Sequence, residues 1–404
     1  MEVSNTSFAF FNEKVAFYCL LQAFGIGRHD KVLLPAYTSS FVPQTVSYTA
    51  ASPEFVEFDP SSYNSLLKHY VQAYENISAK KEKGKLAALL IHHTYGSPNP
   101  ETEKIVNWAK EKGLLVFEYC EYAPQLDSNG RALGTYGDGA FFSFGSQGIA
   151  HVTNPKYLGI MAAMESVAPK PTKPEALGII IRYSLRYLLN KYRSFRLAVS
   201  YLARVSPLFG SEFLSHEPSQ REFFKGVCTI QHRLSKYYAK QFDTVIAHRK
   251  QLALYYGELL RKRGLTVYEY SEGAILSNYP VKVTNRQACL EAAAAAGLEF
   301  GQGLNYPLFQ SGEEYYDWDN DLESSALSGG VEVVCLPLHS QVTRAYAEEL
   351  VGFLECFIKG IDYQPVGRFE NIRSKIASMP FTFEHIGDKA SQFLRRISWL
   401  SYKS

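Results

Sequence analysis

The feature that most constrains the fold is a regular alternation of short apolar segments and helical segments between residues 8 and 165. The segment EKVAFYCLLQAFGIG has apolar residues at helical spacing and ends at Gly25 and Gly27, as a helix C-terminus does. A second amphipathic helix is predicted at ETEKIVNWAKEKG. Short apolar segments typical of buried strands are KVLLPAY, PEFVEFDP, KLAALLIHHTYG, LLVFEYC and GAFFSFG. This alternation predicts an α/β fold with a mostly parallel sheet and helices on both of its faces.

The second half of the chain predicts a different organisation. Three prolines between residues 169 and 174 indicate a linker, and a basic helical segment and a long helix follow it. The remainder alternates two strands with two helices, which predicts a smaller α+β domain. The predicted divisions are a large α/β domain at 1–165, a linker with a basic amphipathic helix at 166–225, a small α+β domain with a long connecting helix at 226–360, and a basic tail at 361–404.

Composition excludes several classes of protein. The net charge of +2 argues against a dedicated nucleic-acid binder, which carries a strong basic bias. The six cysteines are scattered singly, so neither a disulfide framework nor a zinc site is expected, and we predict no metal. The sequence shows no secretory signal and no run of about 18 apolar residues. We therefore expect a cytoplasmic protein, and membrane association stays open.

The predicted functional residues follow the strands. In open α/β sheets ligands bind at the carboxyl ends of parallel strands, and the segments at those ends are PAYTSS, HHTYGSP, EYCEYA and SFGSQG. Two interpretations of His92 and His93 stay open at this point. They either hydrogen-bond locally at a strand end or form the polar rim of a ligand cleft.

From about Phe11 to Gly360 the order of the segments resembles the DegT/StrS sugar-aminotransferase family, whose enzymes have the type I fold of pyridoxal-phosphate (PLP) enzymes. The segments that carry the resemblance are GIGRHDKVLLPAYTSS, PEFVEFDPSSYN, HHTYGSP, KGLLVFEYCEYAPQLDSNGRALGTYGDGAFFSFG, HRKQLALYYGELL, GLEFGQGLNYPLF and VCLPLHSQVT. The resemblance implies an aminotransferase type I fold, with a mostly parallel seven-stranded sheet in the large domain and a smaller α+β domain.

The resemblance also implies a set of cofactor-binding positions, and this sequence departs from the family at most of them. The family's Schiff-base lysine aligns with Gly148, and Tyr119 takes the place of the aspartate that holds the pyridine nitrogen. Since a phenol has a pKa of about 10, it is neutral at pH 7 and cannot replace that carboxylate. The predicted cofactor-binding positions are Glu13, Lys14, Tyr119, Tyr122, Ser143 and Gly148. From these departures we expect no cofactor.

Three hypotheses about function stay open. The first is a non-catalytic sugar-aminotransferase-like protein in polysaccharide or secondary-metabolite biosynthesis, acting as a partner or as a PLP-independent nucleotide-sugar binder. The second is an active aminotransferase or dehydratase in which His151 or Lys156 supplies a relocated amine or base. The third is a new activity in the vacated cleft, and its candidate acids and bases are His92, His93, Glu118, Tyr119 and Glu121.

Partners and ligands can also be predicted. The family forms dimers, so we expect a homodimer or a heteromer with an active paralogue, and a nucleotide-sugar ligand. The predicted substrate cleft contains Tyr37, Tyr95, Tyr306 and His339. Ile179 to Arg204 holds no acidic residue, which is unusual for a solvated face, and three interpretations stay open: a solvated face, a helix lying on anionic lipid, and a partner-docking or anion-binding surface. At about 100° per residue, one stripe of this helix holds Arg182, Arg186, Arg193, Arg196 and Arg204.

Overall fold

The computed structural model describes residues 6–80, 84–122, 130–191, 223–271, 274–302, 304 and 332–363. The strands within these ranges are β1 (Ser7–Phe10), β2 (Asp30–Pro35), β3 (Ser52–Val56), β4 (Lys85–His93), β5 (Leu115–Tyr122), β6 (Gly139–Phe144), β7 (Gln147–Val152), β8 (Tyr279–Lys282), β9 (Gly301–Gln302) and β10 (Val333–Leu336). The helices are α1 (Glu13–Ala23), α2 (Phe41–Tyr48), α3 (Leu67–Ala79), α4 (Thr102–Glu111), α5 (Leu158–Val167), α6 (Lys173–Lys191), α7 (Thr229–Lys262), α8 (Arg286–Ala295) and α9 (Arg344–Lys359).

Seven strands form the large sheet, in the order β1-β7-β6-β5-β4-β2-β3. The five strands from β6 to β3 pair in parallel, while β7 pairs antiparallel with both β6 and β1. The predicted mostly parallel α/β sheet is therefore confirmed. Because β4, β5 and β6 run in the same direction, His93, Tyr122 and Phe144 end them at one edge of the sheet, which we call the carboxyl edge.

Helices cover both faces of the large sheet. On one face α1, α2 and α5 bury an apolar cluster that includes Leu20, Val46 and Met161. On the other face α3 and α4 pack Tyr70 and Ile105 against the sheet. Since both faces of the central strands are covered, these strands are mainly apolar until they approach the carboxyl edge, where β4 ends in two histidines and β5 carries Glu118 and Glu121.

A smaller sheet has the order β8-β10-β9 with antiparallel pairing, and it packs with the second half of α7 and with α8 and α9. Leu252, Tyr256 and Leu260 of α7 are buried in this second core. The predicted domain divisions at residues 165 and 225 stay predictions, and the tail beyond 363 lies outside the described residues. Within the described part of the chain, no helix is both long and apolar enough to cross a lipid bilayer.

Strand β7 and the start of α1 lie in very close contact. Asn12 caps α1, its side-chain oxygen accepting the backbone N–H of Val15 at 3.0 Å. Gly148 pairs with Phe10 of β1 and with Ser143 of β6. A Cβ atom at Gly148 would lie 2.0 Å from the Asn12 carbonyl and 2.3 Å from the Glu13 nitrogen. Only glycine therefore fits where β7 crosses the N-terminus of α1.

We predict that Gly148→Ala lowers the free energy of unfolding by about 3 kcal/mol, because backbone atoms must move to accept the methyl group. Gly159→Ala is the matched control: it lies in α5 with no atom within 4 Å of the new Cβ, and should be neutral or stabilising by about 0.5 kcal/mol. Urea denaturation of both variants measures the difference. Equal stability of the two would contradict the close packing at Gly148.

Candidate functional site

The carboxyl edge is organised around the buried carboxylate of Glu118 on β5. Its Oε1 accepts the backbone N–H groups of Tyr136 and Gly137 at 2.7 and 2.8 Å, and its Oε2 accepts that of Gly134 at 2.9 Å. His93 Nε2 lies 3.2 Å from the same Oε2. Burial raises the pKa of Glu118, but the hydrogen bonds from His93, Gly137 and Gly134 outweigh that effect and lower the pKa below its ordinary value of 4.5. Glu118 is thus ionised and holds the loop that leads into β6.

His93 has a structural role fixed by its second nitrogen. The backbone N–H of Asn99 donates to Nδ1 at 3.1 Å, so Nε2 carries the proton and donates it to Glu118. Cys120 lies beside them, and burial raises its pKa well above 9.0. The potential ligand atoms of His93, Glu118 and Cys120 lie within 4.8 Å of one another, but both Glu118 oxygens already accept hydrogen bonds. His93 and Glu118 therefore stabilise the loop before β6 and are not arranged to act on a substrate.

His92 belongs to a stack of rings on the neighbouring side of the edge. The Tyr119 ring lies parallel to His92 at 4.4 Å and to Phe141 at 4.6 Å between centroids. The His92 Nδ1 pairs with the Thr38 hydroxyl at 3.1 Å. Its Nε2 lies 3.2 Å from Glu121 Oε1, close enough for an ion pair, although the angles do not meet those of a hydrogen bond. Glu121 Oε1 also accepts the Tyr95 backbone N–H at 3.0 Å.

A second carboxyl group, Glu13, interacts electrostatically with Glu121. Burial raises the pKa of Glu13 above 4.5, and the charge of Glu121 raises it further, although a backbone hydrogen bond opposes both. Lys14 contacts a different set of groups. Its ammonium donates to Gln44 Oε1 at 3.1 Å and lies 5.3 and 5.4 Å from the ring centres of Tyr48 and Phe223. Glu13 is thus within electrostatic range of Glu121, the residue that contacts His92.

The predicted substrate tyrosines are fully buried. Tyr37 and Tyr95 share a hydrogen bond of 2.5 Å between their hydroxyls, and burial raises the pKa of both well above 10.0. Tyr63 packs against both rings. They occupy the core between the two sheets and do not line an open cleft. His339 lies elsewhere, with its Nε2 3.0 Å from Glu299 Oε2, and Tyr306 falls outside the described residues.

The turn between β6 and β7 contains only Gly145 and Ser146. The first turns of α7 contact it directly. Gln231 Nε2 donates to the Ser146 and Phe11 carbonyls at 2.7 and 2.8 Å, and the Ser235 hydroxyl donates to the Phe144 carbonyl at 3.0 Å. In the sequence the polar residues after Phe144 indicated a loop with Gly148 at the lysine position. In the structure the loop is replaced by this two-residue turn, and Gly148 lies within β7.

The structure does not place His151 or Lys156, the candidates for a relocated amine, at the carboxyl edge. His151 pairs with Ala140 at the far end of β6, about 10 Å along β7 from Gly148. Its Nδ1 contacts the Ser7 hydroxyl at 3.0 Å, and burial lowers its pKa below 6.5. Lys156 is exposed beyond β7, with its ammonium 5.1 Å from the ring centre of Tyr157.

The remaining predicted positions are placed as follows. Ser143 lies near the end of β6 and pairs with Tyr122, the last residue of β5. Arg182 and Arg186 lie on α6, and Arg193, Arg196 and Arg204 fall outside the described residues. Sequence reasoning missed Gln231 and Ser235, which lie more than 80 residues from the turn they contact. The helix start at Thr229 gives no local signal for that contact.

Comparison with known proteins relates the first part of the chain to an enzyme family. Residues 6–150 match the model of the DegT/DnrJ/EryC1/StrS aminotransferase family. Over 133 residues the chain is 33% identical to the GDP-perosamine synthase of Escherichia coli O157:H7, covering 33% of this chain and 34% of that protein. The chain thus spans about a third of the length of the curated relatives it matches.

Solved structures extend the likeness of the fold to most of the chain. A DegT DnrJ EryC1 StrS aminotransferase from Brucella abortus has a TM-score of 0.64 at 18% identity and covers 87% of this chain and 86% of its own. The PMP form of a sugar aminotransferase from Streptococcus pneumoniae, Spr1654, has a TM-score of 0.63 at 13% identity and covers 88% and 86%. The predicted type I aminotransferase fold is confirmed.

The expectation of no cofactor is wrong. The matched family and the PMP-form neighbour point to PLP as the cofactor of this fold. The described residues fit that group only in part. The capped start of α1 offers N–H groups of the kind that bind phosphate, but Glu13 is there. Tyr119 is stacked between His92 and Phe141, and the β6–β7 turn offers no amine. Covalent attachment is the part that does not fit.

We predict that Glu118→Gln lowers the free energy of unfolding at pH 7 by about 3 kcal/mol, because the amide group meets backbone N–H donors without the charge they stabilise. Since the folded-state pKa of Glu118 is lowered, this contribution is present above 4.5 and lost as the pH falls through the folded-state value. Urea denaturation from pH 7 to acid measures it. The exposed Glu111→Gln is the control, and an equal effect of both would contradict the role of Glu118.

Glu13→Gln should have the opposite effect and stabilise the protein near neutral pH. A carboxyl group with a raised folded-state pKa favours folding in its protonated form, and that benefit disappears as the pH rises from 4.5 through the folded-state value. The neutral amide avoids the cost of ionisation beside Glu121. The gain, measured by urea denaturation across the same pH series, should grow with pH until Glu13 is fully ionised. A loss of stability at pH 7 would contradict this interpretation.

Proposed function

Because residues 6–150 match the model of the DegT/DnrJ/EryC1/StrS aminotransferase family, we propose that this chain is a non-catalytic sugar-aminotransferase-like protein that binds a nucleotide-linked sugar. Its place is in polysaccharide or secondary-metabolite biosynthesis, beside a catalytically competent relative. The first listed curated relative is a synthase of a GDP-linked amino sugar, which supports the ligand class. The proposal concerns amino transfer and does not exclude non-covalent binding of the family's cofactor.

The β6–β7 turn is the observation that carries the proposal. In the family resemblance, the lysine that binds the cofactor follows the Ser-Phe at the end of this strand. Here the strand passes through Gly145 and Ser146 directly into β7, and Gln231 and Ser235 of α7 fill the adjoining space. A side chain at Gly148 would collide with the backbone at Asn12. Among the described residues, the β6–β7 turn thus offers no lysine at the place where the resemblance implies one.

Tyr119, on strand β5, supports the same conclusion. The resemblance implies a carboxylate there, close to the ring nitrogen of the cofactor. Tyr119 is neutral at pH 7 and packs flat against His92 and Phe141. It contributes a ring to a stack and supplies no negative charge.

The test combines covalent trapping, turnover and binding. We expect that one equivalent of PLP followed by borohydride gives no stoichiometric adduct on a single lysine, only scattered partial labelling of exposed lysines such as Lys156. Amino transfer from glutamate to nucleotide-linked keto sugars should stay at the level of the reagent blank. The thermal midpoint should rise with GDP- or dTDP-linked sugars. The E. coli GDP-perosamine synthase, treated identically, is the positive control.

Three outcomes would contradict the proposal. A stoichiometric reduced adduct mapped to a lysine would show that an amine reaches the cofactor. Turnover above the blank that disappears in His151→Ala or Lys156→Ala would establish the relocated-group hypothesis instead. The absence of any thermal shift with nucleotide-linked sugars would remove the binding role.

A further inference from the structure

Glu121 is a carboxylate of the carboxyl edge with one oxygen available to a ligand. Its Oε1 accepts the Tyr95 backbone N–H at 3.0 Å, whereas its Oε2 accepts no hydrogen bond from the described residues. Glu118, three residues earlier on β5, has four hydrogen-bond partners for its two oxygens. The Glu121 side chain is 11% exposed, so a ligand at the carboxyl edge can reach it.

The His92 ring beside Glu121 also has an unpaired atom. The side chain is fully buried, and its Nδ1 pairs with the Thr38 hydroxyl at 3.1 Å. Its Nε2 lies 3.2 Å from Glu121 Oε1 but forms no hydrogen bond within the described part of the chain. Because buried polar atoms in native proteins are nearly always hydrogen-bonded, this nitrogen indicates a ligand group that binds beside Glu121.

The charges around Glu121 favour a cationic ligand. Among the described residues, neither Glu121 nor Glu13 pairs with a lysine or an arginine. Lys14, next to Glu13, donates to Gln44 and lies against two aromatic rings. The charge of Glu121 raises the pKa of Glu13, so the two carboxylates repel each other when both are ionised. A cation bound at Glu121 would reduce that repulsion.

A primary ammonium group has the chemistry that fits these atoms. It carries a positive charge and three N–H donors. It can form a charge-assisted hydrogen bond with Glu121 Oε2, and it can donate to His92 Nε2 when the ring proton is on Nδ1. In a nucleotide-linked sugar the base is neutral at pH 7 and the phosphates are anionic. An amino substituent on the sugar is therefore the cationic group that such a ligand can offer.

We propose that Glu121, together with His92, binds the ammonium group of a nucleotide-linked amino sugar. This inference rests on the proposed function, which supplies the nucleotide-sugar class, and adds a preference for the aminated sugar. Keto and N-acylated sugars lack the positive charge and should bind more weakly. Glu13 adds to the negative potential at Glu121 from a greater distance.

The experiment is isothermal titration calorimetry of the full chain at pH 7 with two pairs of ligands. The pairs are GDP-perosamine and dTDP-3-amino-3,6-dideoxy-α-D-galactopyranose, each with its N-acetylated form, which has lost the charge. We expect the amine of at least one pair to bind at least about tenfold more tightly than its N-acetylated form. In Glu121→Gln this ratio should fall to within about threefold, because the amide keeps the size and the acceptor oxygen but not the charge.

Glu111→Gln is the matched control. Glu111 is exposed on α4, and its replacement removes the same charge away from the carboxyl edge. We expect it to keep the ratio of the unaltered protein. Circular dichroism and the thermal midpoint establish that both variants are folded. Because both ligands are measured on the same variant, partial unfolding would not change their ratio.

The possible failures are distinguishable. Equal binding of amine and N-acetylated form by the unaltered protein would overturn the ammonium assignment and leave the proposed function in place. A ratio that is unchanged in Glu121→Gln, or that falls equally in Glu111→Gln, would also overturn the assignment. If no member of either pair binds, the proposed function itself fails. Glutamate binding that is lost in Glu121→Gln, without a preference between the sugars, would assign the carboxylate to a free amino acid instead.

Discussion

The ionised carboxylate of Glu118 is the interaction on which the carboxyl edge depends. It satisfies three backbone N–H groups of the loop before β6 and orders His93 at the end of β4. A buried carboxylate is stable only with such partners, since desolvation alone costs several kcal/mol. Because strands β4, β5 and β6 are joined through this group, their ends hold fixed relative positions. His92 is next to His93, Tyr119 is next to Glu118, and Glu121 lies three residues beyond Glu118. The positions of these three residues are therefore fixed by the same contacts.

The sheet was predictable from the sequence because its signals are local. Apolar runs of strand length separated by amphipathic helices specify a parallel sheet, and the carboxyl ends of its strands specify the edge where polar residues meet. The end of α1 near Gly25 is likewise a local signal. The resemblance to a family then fixed which strand ends lie next to one another.

The details of the site were not predictable because they depend on distant contacts. Gly145-Ser146 is a pair typical of two-residue hairpin turns, but QGIAHV was not among the predicted strands, so the hairpin was missed. Its shape follows from Gln231 and Ser235, which contact it from α7. In the same way, the roles of Glu118 and His93 depend on backbone groups of Asn99 and of Gly134–Gly137. The sequence therefore named these residues as candidate acids and bases but did not show what each one does. Tyr37 and Tyr95 were expected in a cleft, yet their hydroxyls satisfy each other within the core.

The two-residue turn between β6 and β7 is in direct contact with helix α6. The Gly145 carbonyl accepts the Tyr183 hydroxyl from α6, and a Cβ at Gly145 would lie 2.8 Å from Ser235 of α7. Two helices thus occupy the space around the turn, and a longer loop at this position would have to displace both. The Tyr183 side chain is 41% exposed, so this contact lies at the surface of the protein. A two-residue turn is therefore the connection between β6 and β7 that fits beside both helices.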